Sequence, residues 1–373
     1  MKYFDYAASC PLDKEAAQVY VQAATDYYGN SSSLHDIGSQ ALDLLENSRY
    51  EIANLLGVDK AGIYFTSGGS EGNFLAIHAL LSSIKNKGKH IVTGMAEHSS
   101  IHSTLEKLRQ EDYEVTTLPF DASGHISINQ LIGALREDTV LITLQHGNSE
   151  IGTIQPLEEV SAICKEKGIL LHSDCVQTFG KTDIKPIARI VDSLTISGHK
   201  FYGPKGIGAV YIQPHLQWMP YHPSATHEKG FRPGTVNVPA IVAMTIAAKK
   251  AYENLDNYHK HYEILRNAFI NTLEPHLLNF VMYNSDIPST IGMRIKGVEG
   301  QMVMLECNRF GFAISTGSAC QVGQQTPSKT MLALGVEDKS AKEFIRISFG
   351  RETNVEDVRE LALTIGRIIQ EQT

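Results

Sequence analysis

Three short clusters in this chain carry residue types that can hold and work on a small ligand. The first is Ser67-Gly68-Gly69-Ser70-Glu71-Gly72-Asn73, which follows the apolar run GIYFT and opens FLAIHALLSSI. Glycines allow close backbone approach, and a helix start offers free N–H groups and a positive dipole end to a phosphate. Ser70 adds a hydroxyl donor. The pattern is neither GxGxxG nor GxxxxGK[ST], so it does not indicate a nucleotide, and a plain Gly-rich turn with a Ser cap is the competing reading.

The second cluster is Asp174-Cys-Val-Gln177, at the end of the apolar run GILLHS. A carboxylate there is expected to be partly buried and to need a cationic partner, either a protonated pyridine nitrogen or a neighbouring Arg or Lys. Gln177 is placed to donate to a phenolate oxygen. The third cluster is Ser197-Gly198-His199-Lys200, after the run DSLTIS. A lysine at a strand end in a Gly-rich turn becomes partly desolvated, which lowers its pKa and makes its amine a nucleophile able to form a Schiff base. An isolated lysine is usually a solvated surface residue. A phosphate cradle, a buried Asp and a strand-end Lys together are the three handles of pyridoxal 5'-phosphate.

The elements that must position these residues alternate along the chain. Residues 62–66, 90–94, 139–146, 169–173, 192–197 and 207–212 read as short strands rich in β-branched residues, bounded by Gly, Asp or Asn. Helical patterns lie between them at 40–56, 71–84 and 156–167. That alternation predicts an α/β fold with a mostly parallel sheet flanked by helices, and such sheets bind ligands at the carboxyl ends of their strands. After about residue 250 the pattern becomes a smaller α+β unit. It comprises a long polar helix (249–275), strands near 290–295 and 344–349, and helices near 299–310, 327–334 and 354–371. The expected domains are 13–250, and 1–12 together with 251–373.

Composition narrows the function classes. The 373 residues are 42% hydrophobic and 20% charged, ordinary globular values with ample length for a large core. The formal net charge of −8 disfavours a role built on nucleic-acid phosphates. The start MKYFDYAASC has no apolar core of a signal peptide, and no run is long enough to span a membrane. The five cysteines form no C-x-x-C pair, which fits reduced cytoplasmic thiols, and no metal-ligand spacing is evident. Cys320 stands apart. It lies in the small, polar stretch ISTGSACQVGQQTP, expected to be an exposed loop, whereas Cys164 and Cys307 lie in apolar segments.

These motifs, in order, resemble the NifS/IscS-like cysteine desulfurases within the fold-type-I pyridoxal-phosphate enzymes. The resemblance runs through DYAA at 5–8, GNSSSLH at 29–35, SGGSEGN at 67–73, EH at 97–98, HGNSEIG at 146–152 and D-x-x-Q at 174–177. It continues through SGHKFYGPKGIG at 197–208, RPGT at 232–235, STGSAC at 315–320 and RISFGR at 346–351. It implies that Lys200 holds the cofactor and then serves as base and acid at the substrate Cα, while Asp174 pairs with the pyridinium nitrogen. By the same resemblance His98 stacks on the ring, Gln177 reaches the phenolic oxygen, and Gly69, Ser70, Ser197 and His199 hold the phosphate. Thr235 would complete the phosphate site of a second subunit, and Arg346 would clamp the substrate carboxylate. Cys320 would take sulfur from L-cysteine as a persulfide, releasing alanine, and a long loop would carry that sulfur to an acceptor protein.

The chain departs from the family pattern at named positions. Ser149 stands where the family has a cofactor-contacting Asn, Ser70 where it has Thr, and Lys229 where it has Arg, which raises the question of how the site rim is built. The chain's end at Thr373, soon after the last helix, is read as lacking the tail by which many IscS-like enzymes dock an iron–sulfur scaffold. A dedicated acceptor in cofactor biosynthesis or tRNA thiolation is equally compatible. The rival expectations are a selenocysteine lyase or another aminotransferase-like enzyme, and a non-catalytic partner-binding subunit. STGSAC argues against a transaminase, and Lys200, Asp174 and Cys320 together argue against a degenerate subunit. A homodimer is implied by the resemblance alone.

Overall fold

The computed structural model describes residues 1–85, 88–274, 279–317 and 327–371. Twelve strands occur among them: β1 (Lys2–Tyr3), β2 (Ile63–Thr66), β3 (His90–Gly94), β4 (Glu114–Leu118), β5 (Thr139–Gln145), β6 (Leu170–Asp174), β7 (Ser193–Ser197), β8 (Gly208–Ile212), β9 (Phe280–Met282), β10 (Thr290–Ile295), β11 (Phe312–Ala313) and β12 (Phe344–Ser348). The large sheet has the order β2-β8-β7-β6-β5-β3-β4. Neighbours from β7 to β4 pair in parallel, and β8 runs antiparallel to both β7 and β2.

Every residue of β5, TVLITLQ, is buried, as expected where helices cover both faces of a parallel sheet. Because β8 alone is reversed, the carboxyl ends of β2, β3, β5, β6 and β7 all open on one edge. The segments that follow them are 67–70, 97–98, 147–150, 174–177 and 197–200, and this edge is where the predicted chemistry gathers.

A three-stranded antiparallel sheet, β12-β10-β9, forms the second layer system. Its core is separate and is built from Leu265, Phe269, Ile291, Met293, Ile345, Ile347, Leu361 and Ile365, with Phe4 reaching in from the amino terminus. The segment after β1 then crosses to the large sheet: the Cys10 N–H donates to the His199 carbonyl at 2.8 Å. This crossing carries residues 5–10 through the site.

Two expectations require correction. The single long helix expected at 249–275 is two helices, Val238–Glu253 and Leu255–Leu273, broken at Asn254. The first starts where the Asn237 side chain accepts from the Ala240 N–H and Pro239 occupies the opening turn, and its apolar residues pack against helices Lys14–Asp26 and Asp36–Leu56. Strand β4 is the second correction. Its sequence EVTTL is half-exposed at the sheet edge, so it lacks the apolar run that marks the inner strands.

Candidate active site

A cavity of about 280 Å³ opens at this strand edge. Gly69, Ser70, His98, Ser149, Asp174, Gln177, Ser197, His199, Lys200 and Arg346 all line it, so ten of the predicted site residues converge. Thr235 does not line it and is exposed elsewhere on the chain. Cys320 lies outside the described residues.

Lys200 sits in the short helical turn after β7. Its Nζ donates to the carbonyls of Ala7 at 2.6 Å and Ala8 at 3.0 Å. Burial, followed by the positive charges of Lys181 and Arg346, pulls its amine down to about 7 from the ordinary lysine value. An amine in that range is substantially neutral at physiological pH and therefore nucleophilic.

Asp174 ends β6 and is buried. Its Oδ2 accepts from Asn73 Nδ2 at 2.7 Å and its Oδ1 from the Val176 N–H at 2.9 Å. No described cation forms an ion pair with it. Gln177 Nε2 donates to the Ala7 carbonyl at 2.9 Å. His98 caps helix Ser99–Arg109, its Nδ1 meeting the Ser100 hydroxyl at 2.8 Å. Burial lowers its pKa, the Lys200 and Lys329 charges lower it further, and Asp174 opposes them. Burial also brings His199 down to about 4, so its ring is neutral at pH 7.

The turn 147–152 is held by its own side chains. Asn148 Oδ1 accepts from the N–H groups of Glu150 and Ile151 at 2.9 Å each, and Asn148 Nδ2 donates to Thr330 Oγ1 at 3.1 Å. Ser149 takes part through its backbone: its carbonyl accepts from Arg346 Nη1 at 3.0 Å. Arg346 Nη2 pairs with Asp5 at 2.6 Å, and its buried Nε has no hydrogen-bond partner among the described residues. Arg346 is thus held at the cavity wall by Asp5 and the Ser149 carbonyl.

Lys229, expected to bear on the rim, does not line this cavity. Its Nζ donates to the Ala61 carbonyl at 3.3 Å and lies 5.8 Å over the Tyr64 ring.

Several site residues escaped the sequence reading. Ala7 and Ala8 act through carbonyls, although the DYAA motif marked their segment. Asn73 closes the SGGSEGN motif and is the residue that grips Asp174. Glu97, beside His98, lines the cavity; its Oε1 accepts from the Gln145 N–H at 2.9 Å, and burial pushes its carboxyl well above the usual range. Lys329 lines the cavity as a further cation, and no residue pattern signalled it.

A mostly parallel sheet with a strand-end lysine, an aspartate that forms no ion pair among the described residues and a glycine-lined helix start defines a fold-type-I pyridoxal-phosphate enzyme. Comparison with known proteins makes this specific. The Aminotransferase class-V family model matches residues 2–361. The "Putative cysteine desulfurase NifS" of Bacillus subtilis (strain 168) is 46% identical over 369 residues, covering 98% of this chain and 93% of that one. A solved structure titled NifS-like protein superposes with a TM-score of 0.91 at 30% identity, covering 99% of both chains. Another, SspA in complex with cysteine, gives a TM-score of 0.81 at 32% identity, covering 94% of this chain and 99% of that one. The chain belongs to the class-V aminotransferase family, on its NifS-like cysteine desulfurase branch.

Enzymes of this family use pyridoxal 5'-phosphate, and the residues present fit it. Gly69 opens helix Gly69–Ser83, and a Cβ there would lie 2.9 Å from Val176 Cγ2 and 3.6 Å from Ser197 Cβ, filling the cradle beside Ser197. Gly68 adopts φ +145°, a backbone that side-chain-bearing residues rarely take. Asp174 supplies the carboxylate that a protonated ring nitrogen requires.

Proposed function

We propose that this protein is a pyridoxal-phosphate-dependent cysteine desulfurase in which Lys200, Asp174, Gln177, His98 and Arg346 act on L-cysteine and Cys320 receives its sulfur. The observation that carries this reading is the convergence on one cavity of Lys200, the buried Asp174 carboxylate, which forms no ion pair among the described residues, and a glycine cradle. The cofactor, when bound through its aldehyde, supplies an electron sink for bonds at the substrate Cα and Cβ.

The chain's own groups have separable tasks. Gly69 and Ser70 at the helix start, together with Ser197 at the end of β7 and His199 just after it, would hold the phosphate through N–H and hydroxyl donors. Asp174, fixed by Asn73 and the Val176 N–H, holds the proton of the ring nitrogen. Gln177 donates to the ring oxygen, and His98 covers the ring face. Lys200 Nζ takes a proton at the substrate Cα and returns one. Arg346 binds the substrate carboxylate through its guanidinium N–H groups, re-sharing its bond to Asp5.

In the net reaction the Cβ–S bond of cysteine breaks, an S–S bond forms on Cys320, and the carbon gains hydrogen to give L-alanine. The persulfide then passes to a protein acceptor serving iron–sulfur, cofactor or tRNA thiolation pathways. We further propose a homodimer. Tyr28, Leu34 and Tyr50 expose apolar surface, at 70%, 102% and 53%, and Thr235 lies away from its own cavity. The cytoplasm is the proposed compartment, supported by the free thiols of Cys10, Cys164, Cys175 and Cys307. The division into 13–250 and 1–12 with 251–373 is supported by the separate core around β10 and β12.

The test is purified holoenzyme with L-cysteine and a reducing thiol, with alanine and sulfide quantified together. Equal yields are expected, and both should collapse in Cys320→Ser while its cofactor absorbance remains. Pyruvate, a transferred amino group, or undiminished sulfide from Cys320→Ser would overturn the reading.

A further inference from the structure

Behind Lys200 stands a second lysine to which no role has been given. Lys181 lies on the turn after Gln177 and is half-buried. Its Nζ donates to Gln177 Oε1 at 2.9 Å, while Gln177 Nε2 donates to the Ala7 carbonyl at 2.9 Å. That same carbonyl accepts from Lys200 Nζ at 2.6 Å. Lys181, Gln177, Ala7 and Lys200 therefore form one continuous hydrogen-bonded chain.

This chain fixes the Gln177 amide. A glutamine can present either its carbonyl or its NH2 end to a ligand. With Oε1 committed to an ammonium donor, the NH2 end is the one toward Ala7 and the cavity. One of its hydrogens serves Ala7, and the second remains available to the cavity that Gln177 lines.

Lys181 also lacks the partner that such a cation ordinarily has. No described carboxylate forms an ion pair with it, and an enclosed charge without a counter-ion is costly. Lys181 and Lys200 share the wall of a second, small cavity of about 20 Å³, room for one water, lined also by Cys10, Tyr202, Tyr262 and Arg351. Burial, then the Arg346 charge, moves the Lys181 amine to about 8, with the Cys10 thiol opposing. The groups facing Lys200 are Lys181 after β6, Arg346 on β12, Cys10 on the amino-terminal segment and Asp174 on β6. Its neighbour His199, and His98 from the helix Ser99–Arg109, complete the set, both neutral at pH 7.

We propose that Lys181 is a positioning residue for the Gln177–Lys200 pair. Its ammonium holds Gln177 with the NH2 end toward the cofactor's ring oxygen, and its charge opposes protonation of the Lys200 nitrogen. The proposal rests on the roles given above to Lys200 and Gln177.

The experiment is a pH titration of the visible cofactor absorbance in the holoenzyme. Lys181→Met should move the midpoint upward by about one pH unit, the size of one nearby like charge removed at an effective dielectric of about 20. Lys181→Arg keeps the charge and should titrate close to the parent, and it also serves if the Met variant fails to fold. In a Gln177→Leu background, Lys181→Met should still raise the midpoint but no longer weaken cofactor affinity, because no amide remains to orient. A folded Lys181→Met holoenzyme that titrates at the parent midpoint would overturn the proposal, as would a Lys181→Arg midpoint as high as that of Lys181→Met. If the parent absorbance persists in Lys200→Ala, the reading of Lys200 fails instead, and the two failures are distinct.

Discussion

The segment leading to Arg232 and Thr235 hangs on one buried ion pair, and breaking that pair is the sharpest structural perturbation available. Glu228 and Arg49 are 6% and 3% exposed. Arg49 Nη1 and Nη2 donate to the two carboxylate oxygens at 2.8 and 2.9 Å, and the Phe65 N–H donates to Oε2 at 2.7 Å. Glu228 and Lys229 adopt φ +47° and +56°, a left-handed pair without glycine that only an over-determined site keeps in place. Glu228→Ala strips the buried guanidinium of both its Nη carboxylate contacts, leaving it Glu46 at 2.9 Å from Nε and the Ile63 carbonyl at 2.7 Å from Nη1, and it orphans the Phe65 N–H. Removing one partner of such a pair costs about 3–5 kcal/mol, which lowers Tm by roughly 4–6 °C in a chain of this size. Urea unfolding followed by circular dichroism measures the loss. The double variant Arg49→Met, Glu228→Ala should recover about 1–3 kcal/mol of it, because the stranded charge is gone. Since the loop continues to Arg232, whose Nε donates to Glu71 at 2.8 Å, cofactor affinity should fall with stability. A loss below about 1 kcal/mol in Glu228→Ala, or a double variant weaker than the single, would refute the reasoning.

Further expectations concern the cavity itself. Cofactor binding to apoprotein requires the neutral Lys200 amine; with that amine at about 7, the reconstitution rate should rise through pH 7 and level off above it. A rate still climbing toward the ordinary lysine range, followed by absorbance, would contradict the lowered value. Asn73→Leu removes the Nδ2 donor that meets Asp174 at 2.7 Å and Ser100 Oγ at 3.0 Å in a fully buried position. It should cost about 1–3 kcal/mol of stability and weaken cofactor binding about tenfold, measured by thermal unfolding and equilibrium titration. Gly69→Val brings side-chain atoms into the cradle beside Val176 and Ser197, so its cofactor dissociation constant should rise while the apoprotein keeps its circular dichroism spectrum.

What the sequence disclosed follows from how each feature writes itself into residue types. The inner strands were legible because burial on both faces demands continuous apolar runs such as TVLITLQ. Strand β4 was not, because at a half-exposed edge EVTTL obeys weaker rules. Helix Val238–Glu253 was misplaced for the opposite reason. Packed against two other helices, its VPAIVAMTIAA start has no polar stripe to mark a period, and the polar pattern caught the eye only from residue 249.

The site divides along a related line. Lys200, Asp174 and Gln177 were legible because their side chains are the reagents, and a strand end is where such reagents belong; Arg346, in the middle of β12, was reached through the family resemblance alone. Ala7 and Ala8 were illegible because a carbonyl acceptor has no residue-type signature; any amino acid could supply it. Yet those two carbonyls receive Lys200, and one of them also receives Gln177. Lys181 was passed over because a lone lysine in a turn is ordinarily solvated, and only its 2.9 Å bond to Gln177 separates it from that default. The residues that set reactivity in this cavity are therefore of two kinds. Some touch the ligand and can be read from type and spacing. The others fix the orientation and charge of the first, and they become visible only once the fold brings residue 7 beside residue 200.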